Sequence, residues 1–270
     1  MNRRSDAGLE RPATKAPAAP LDSALYLRKE ICMESSTLAS FRESLLRACE
    51  GIFEPNAEQA DAMTAYYALL VEWNERMNLT AVTAPEEAAQ KHFADSLLAA
   101  KRLPHGAACI DVGTGAGFPG LPLLIVRPDL SMSLLDSLAK RLTFLQAVAK
   151  ELGLSPKFLH ERAEDAGRKA GERAAFDIVL SRAVAPMNVL CELTLPLLKI
   201  GGEALCFKGP AVREELLNAK RALKLLGGTV KEVEERPLPW GTRTIAVLQK
   251  TAATPAMYPR KAGTPAKTPL

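Results

Sequence analysis

The stretch Asp111-Val112-Gly113-Thr114-Gly115-Ala116-Gly117-Phe118-Pro119-Gly120 follows a short apolar run at 107–112 and opens another at 119–126. Four glycines in eight residues are more than one tight turn needs. Glycine lets the backbone adopt φ > 0 and leaves room for a ligand to reach the main chain, while Pro119 suits the first turn of a following helix. The spacing predicts a strand at 107–112, a ligand-holding loop and a helix at 119–126. Downstream, predicted strands at 131–136, 157–160, 176–181 and 203–208 alternate with helices at 139–152, 187–198 and 212–226. Two last strands, near 229–235 and 242–249, are joined through 237–241 and can pair antiparallel as a hairpin. This alternation predicts an α/β fold, a mostly parallel, seven-stranded, Rossmann-like sheet.

The loop has two readings. Gly115-Ala116-Gly117-Phe118-Pro119-Gly120 satisfies the dinucleotide fingerprint G-x-G-x-x-G, and Asp136 follows at a spacing suited to a ribose. That pattern alone describes an NAD-dependent oxidoreductase. Asp111 argues otherwise, because a carboxylate two residues before the first glycine opposes a pyrophosphate but suits an ammonium or sulfonium group. S-adenosylmethionine has both cations and no phosphate. Asp136, ending the second strand, then accepts from its two ribose hydroxyls, or else caps the next helix. S-adenosylmethionine is the better fit.

Ahead of the loop the pattern is helical. Leu38, Phe41, Leu45 and Leu46, then Met63, Tyr66, Tyr67, Leu70 and Trp73, recur near a 3.6-residue period. A third helix opens at Pro85 with Glu86 and Glu87 in its first turn and runs through His92 to about residue 102, before Pro104 and Gly106. The expected organisation is a disordered extension at 1–36, a helical module at 37–103, the Rossmann-like domain at 104–250 and a tail at 251–270. The 270 residues carry 35 Lys and Arg against 31 Asp and Glu, a net charge of +4, too small for a protein that coats DNA by charge alone. The basic excess lies at two Pro/Ala-rich ends, with six cations against three acids in 1–29 and four against none in 250–270. Such ends bury no core. The carboxyl-terminal one is read as a solvated tail that assists binding to a polyanion.

No apolar run approaches the roughly 20 residues that span a bilayer. The five cysteines (Cys32, Cys49, Cys109, Cys191 and Cys206) are widely spaced, without a C-x-x-C pair. They exclude a disulfide framework and an ordinary zinc site, and read as small core residues in a reducing, cytoplasmic setting. Residues 1–30 lack the apolar core of a secretory signal.

Several strings resemble the glucose-inhibited division protein B (RsmG) family: DVGTGAGFPGLP at 111–122, LLDSLAKRLTFL at 134–145, SRAVA at 181–185 and FKG at 207–209. Trp73-Asn74, Asn78-Leu79-Thr80, the run from Lys91 to Ser96 and the closing Tyr258-Pro259-Arg260-Lys261-Ala262-Gly263 are similar to its other signatures. The likeness spans about 38–270. It implies a class I methyltransferase that uses S-adenosylmethionine to methylate N7 of one guanine in the 530 loop of 16S rRNA, as free RNA or within the 30S subunit. By the same resemblance Gly113 and Phe118 touch the cofactor, with Gly115 and Gly117 shaping its loop. Ala163 and Glu164 border the adenine, and Arg182 stands between cofactor and substrate. Residues 167–173 read as a charged surface loop.

Guanine N7 carries a free lone pair at neutral pH, so the transfer needs no general base, and none is assigned. Arg182 and Lys208 follow predicted strand ends, where either can hold guanine O6 or a phosphate; a salt bridge or a solvated lysine is the plainer reading of each. His92, Asp95 and Ser96 share a helix face by spacing, as a structural network or, with Asn74 and Asn78, as the wall of an RNA cleft. They are too few for a metal site. Trp73 reads as core. Beside the rRNA reading stand the NAD-dependent oxidoreductase, a methyltransferase of a non-RNA substrate, and a ribosome-binding factor without activity.

Overall fold

The computed structural model describes residues 33–270. The extension expected at 1–36 and Cys32 thus lie outside the described residues, except that the first helix already opens at Ser35. Helix α1 (Ser35–Cys49) is followed by α2 (Ala57–Met77), which opens on a capping box: the Asn56 side chain accepts from the Gln59 amide, and the Gln59 side chain accepts from that of Asn56. Asn78 ends α2 in the left-handed conformation.

Helix α3 (85–97) opens at Pro85 as expected but is not uniformly α-helical. Pro85–Ala88 and Asp95–Leu97 are α-helical turns, and Ala89–Ala94 between them wind as a π-helix. The wider turn rotates the faces on either side of it. His92, Asp95 and Ser96 therefore do not meet through their side chains. His92 pairs with Thr80, Asp95 with Trp240 and Arg243, and the Ser96 hydroxyl donates to the backbone carbonyl of His92.

The Rossmann-like part begins with β1 (Ala108–Val112), α4 (Gly120–Val126) and β2 (Ser131–Asp136), then α5 (Ala139–Glu151) and β3 (Lys157–His160). The short helix α6 (Ala163–Ala166), unmarked by any periodicity, leads to β4 (Phe176–Arg182) and α7 (Met187–Thr194). Pro196, which has no amide to donate, turns the chain out of α7 through a 3₁₀ turn. Strand β5 (Leu198–Lys208) follows and starts earlier than expected. The predicted helix at 212–226 breaks at Ala219 into α8 (Val212–Asn218) and α9 (Lys220–Leu226). Strands β6 (Gly228–Arg236) and β7 (Arg243–Lys250) complete the sheet.

The seven strands lie in the order β3-β2-β1-β4-β5-β7-β6. The first five are parallel, and β7 runs antiparallel to both β5 and β6. One core, from Ile110 and Val179 to Leu190 and Ala246, lies between the sheet and α7 to α9. On the other side α4, buried along its whole length, lies among α2, α3 and β2. Cys49, Cys109, Cys191 and Cys206 are buried free thiols.

The carboxyl-terminal segment is not a solvated tail. Arg260 grips Glu192 of α7, which is 1% exposed, with Nη2 at 2.7 Å and Nε at 3.0 Å, and the Arg260 amide donates to the same carboxylate at 2.7 Å. Arg173 donates to the carbonyls of Thr254 and Tyr258, and Arg168 to that of Pro259. The stretch 167–173, read as a surface loop, is thus the dock for this segment. A last short helix, α10 (Thr264–Lys267), lies near the end of the chain. Backbone carbonyls supply most of its anchoring, which is why composition alone gave no sign of it.

Candidate active site

The carboxyl ends of β1, β2, β4 and β5 bring Asp111, Asp136, Arg182 and Lys208 to one edge of the sheet, where ligands of open α/β sheets bind. The glycine loop between β1 and α4 is held from within. The amides of Gly113 and Thr114 donate to the Leu135 carbonyl, at 2.9 and 3.0 Å. Those of Gly117 and Phe118 donate to the Thr114 carbonyl, Gly115 to Asp136 at 3.0 Å, and Gly120 to Asp111 at 3.0 Å. A pyrophosphate needs such amides turned outward, so this loop is not a phosphate cradle. Space is nonetheless left beside it. A Cβ built on Gly115 meets nothing nearer than 3.9 Å, whereas one on Gly117 would collide with the Tyr66 hydroxyl oxygen. Gly115 borders open space, while Gly117 is pressed against α2.

Asp111 is fully buried. Its Oδ2 accepts from Thr114 Oγ1 at 2.7 Å and from the Gly120 amide, and its Oδ1 has no partner. Burial raises its carboxyl to about 6. Asp111 therefore braces the loop, and one of its two acceptor oxygens is left without a partner. Asp136 is similarly committed. Oδ1 accepts from the Leu138 amide at 2.9 Å, the helix-entry role weighed above, while Oδ2 takes Gly115 and Arg141 Nη1, the latter at 3.2 Å. Ala163 and Glu164 are buried at the start of α6, and Glu164 Oε1 accepts from the Gly263 amide at 2.8 Å.

Phe118 lies between the helical module and the sheet edge. It stacks on Tyr66 at 5.2 Å and on His92 at 4.7 Å, and meets Phe93 edge-on. The Arg182 guanidinium stands 5.2 Å from its ring centre. Tyr66 donates its hydroxyl to the Ala116 carbonyl inside the loop. Helical spacing marked Tyr66 only as core; nothing in the sequence marks that reach across 50 residues. His92 is held by Thr80 Oγ1 at 2.8 Å, and the Thr80 amide by Asn74 Oδ1 at 2.8 Å. The signatures at 73–80 and 91–96 thus form one hydrogen-bonded wall behind Phe118. Burial, then the Arg182 charge, lowers the His92 imidazole to about 4, so it is neutral at pH 7. Asn78 is exposed and stands apart, serving the end of α2. Trp73 is only partly buried, against Phe144.

Arg182 donates through Nη1 to the carbonyls of Lys91, at 3.1 Å, and His92, both in the π-helical stretch. Lys208 Nζ pairs with Glu215 Oε2 and the Ala185 carbonyl, each at 2.6 Å. Both line a cleft of about 360 Å³ together with Asp95, Arg243, Thr244 and Glu215. Sequence reasoning missed Arg243 and Trp240. They reach Asp95 at 2.6 and 2.8 Å and tie the β6–β7 connection to α3. Among the described residues no three His, Cys, Asp or Glu side chains gather as a metal site, and no helix is long and apolar enough to cross a membrane.

A loop whose amides are turned inward, with buried carboxylates at the ends of β1 and β2, takes a cationic nucleoside rather than a dinucleotide. With this strand order it defines a class I S-adenosylmethionine-dependent methyltransferase. Residues 59–239 match the GidB family, described as rRNA small subunit methyltransferase G. Ribosomal RNA small subunit methyltransferase G of Alkaliphilus metalliredigens (strain QYMF) is 46% identical over 223 residues, covering 81% of this chain and 93% of that protein. The protein of the same name from Bacillus thuringiensis (strain Al Hakam) is 47% identical over 220 residues, covering 80% and 92%. Among solved structures, TrmN from Thermus thermophilus aligns over 57% of this chain and 48% of that one, at 25% identity and a TM-score of 0.45. The chain belongs to the rRNA small subunit methyltransferase G family.

Proposed function

We propose that this enzyme methylates N7 of one guanine in the 530 loop of 16S rRNA, as free RNA or within the 30S subunit, in the cytoplasm. The observation that carries the cofactor half of this reading is the inward-turned glycine loop, in which the amides of Gly113, Thr114, Gly115, Gly117, Phe118 and Gly120 are all taken up inside the protein. Membership of the rRNA methyltransferase family supports the substrate half.

S-adenosylmethionine, when bound, supplies a methyl group on a cationic sulfur. Asp111 faces that cation from the end of β1, Asp136 at the end of β2 is set for the ribose hydroxyls, Gly115 gives the ligand room, and Glu164 borders its adenine. Guanine N7 needs no deprotonation, and the neutral His92 is not required as a base. Residues of the site act by position and by charge. Arg182, fixed by two carbonyls of α3 and set over Phe118, stands between the loop and the cleft. Lys208 and Arg243 line the cleft's far side, where a cation can hold guanine O6 or a flanking phosphate.

The test is transfer of labelled methyl from S-adenosylmethionine to 30S subunits and to free 16S rRNA lacking the modification, with the product nucleoside identified by mass. The expected product is 7-methylguanosine in the 530 loop, lost in Arg182→Ala. Label on another base, or on no RNA while the cofactor still binds, would overturn the substrate reading.

A further inference from the structure

The carboxyl-terminal segment reaches the cofactor side of the molecule. Gly263 donates its amide to Glu164 Oε1 at 2.8 Å, and Glu164 is buried at the start of α6. Nothing in α6 itself holds that oxygen. Three residues earlier Arg260 is locked on Glu192 by two side-chain nitrogens and its own amide. Glu192 is almost wholly buried in α7, so its charge is balanced only while Arg260 is in place. Arg168 and Arg173, on the turn that follows α6, grip the carbonyls of Thr254, Tyr258 and Pro259 from the other side. Gly167, at the end of α6, is so close to this segment that a Cβ on it would lie 2.9 Å from the Pro259 ring. The segment is therefore clamped on both sides of the point where it meets Glu164.

We infer that residues 258–263 are part of the cofactor site: Arg260 is a positioning residue that presents the Gly263 amide to Glu164 and so orients the carboxylate that borders the adenine. This rests on the reading of Glu164 as a cofactor contact. One oxygen of Glu164 is held by the segment, which leaves the other to face the ligand in a defined direction. Without the clamp the carboxylate rotates freely and its contact with the ligand weakens.

Calorimetric titration of the full chain with S-adenosylmethionine tests it, alongside the KM for 30S subunits. Arg260→Ala should weaken cofactor binding about tenfold, the loss of one hydrogen bond to a charged group, with the KM for 30S unchanged. Arg260→Lys should restore part of the affinity, and Lys267→Ala, at an exposed lysine beyond the segment, should change nothing. Combined with Glu164→Ala, Arg260→Ala should add no further loss, since the two act through one contact. Full additivity in that pair, or unchanged affinity in Arg260→Ala, would overturn the inference. If Arg260→Ala does not fold, Arg260→Lys carries the same pair of comparisons. Failure of the underlying reading looks different: either the wild type binds no cofactor, or Glu164→Ala alone leaves its affinity intact.

Discussion

Asp111 sits fully buried with one oxygen in use and the other without a partner, a costly arrangement for a charge. Its carboxyl titrates near 6 in the folded chain, against an ordinary value of 3.8. The folded state therefore keeps a proton that the unfolded state has already lost, and its stabilising effect is full below the ordinary value and gone once pH has risen through about 6. Asp111→Asn keeps an acceptor for Thr114 and Gly120 but has no charge to bury. Relative to wild type, it should gain on the order of 3 kcal/mol in stability as pH rises through that range in the cofactor-free protein. Urea unfolding at a series of pH values checks this. Bound S-adenosylmethionine should narrow the gap, because its cation favours the ionised form. The sequence identified Asp111 correctly as the odd feature of the loop. It gave no sign of the brace to Gly120, nine residues on, because that contact exists only once the loop has closed on itself.

Helix α2 and the glycine loop form one mechanical unit. Tyr66 reaches out of α2 to the Ala116 carbonyl, and the same hydroxyl lies where a side chain on Gly117 would be. Gly117→Ala should therefore lower stability by several kcal/mol, combining a positive φ with a clash, and raise the KM for the cofactor. Tyr66→Phe alone should cost about 1 kcal/mol, the value of one hydrogen bond. In the double variant part of the Gly117→Ala loss should be recovered, since the clashing oxygen is gone, although Leu145 still crowds the position. Equal losses in single and double variants would refute this account. Elements of this kind divide sharply in how much a sequence reveals of them. Strands 131–136 and 157–160 were legible residue for residue, as apolar runs between turn formers. The π-helical stretch at 89–94 was not, because its pattern is helical and only the carbonyls taken up by Arg182 distinguish it.

For the whole molecule, the cleft between Arg182 and Lys208 holds three cations and two acids, Asp95 and Glu215. So mild an excess predicts a shallow dependence of RNA binding on salt. The logarithm of the affinity for 30S should fall with the logarithm of salt concentration at a slope no steeper than about −3, whereas cofactor affinity should barely move. Filter binding over a range of salt concentrations measures both. A much steeper slope would mean that the RNA path runs over other basic surface. The helical and Rossmann-like parts were separable on paper because their periodicities differ, at 3.6 residues in one and alternating strands in the other. In the fold they share Phe118 and the Asp95–Arg243 pair, contacts between distant residues that no local pattern encodes.

Strand β7 has one further consequence, for the order in which the protein is made. It is the last strand in sequence yet lies inside the sheet, between β5 and β6, with Thr244 opposite Lys208. Arg243 and Thr244 form a wall of the cleft. A nascent chain that has reached only residue 236 has an open β5 edge and lacks that wall of the cleft. The cleft between β4, β5 and α3 is therefore completed only after the sheet's five parallel strands and β6 have all been made.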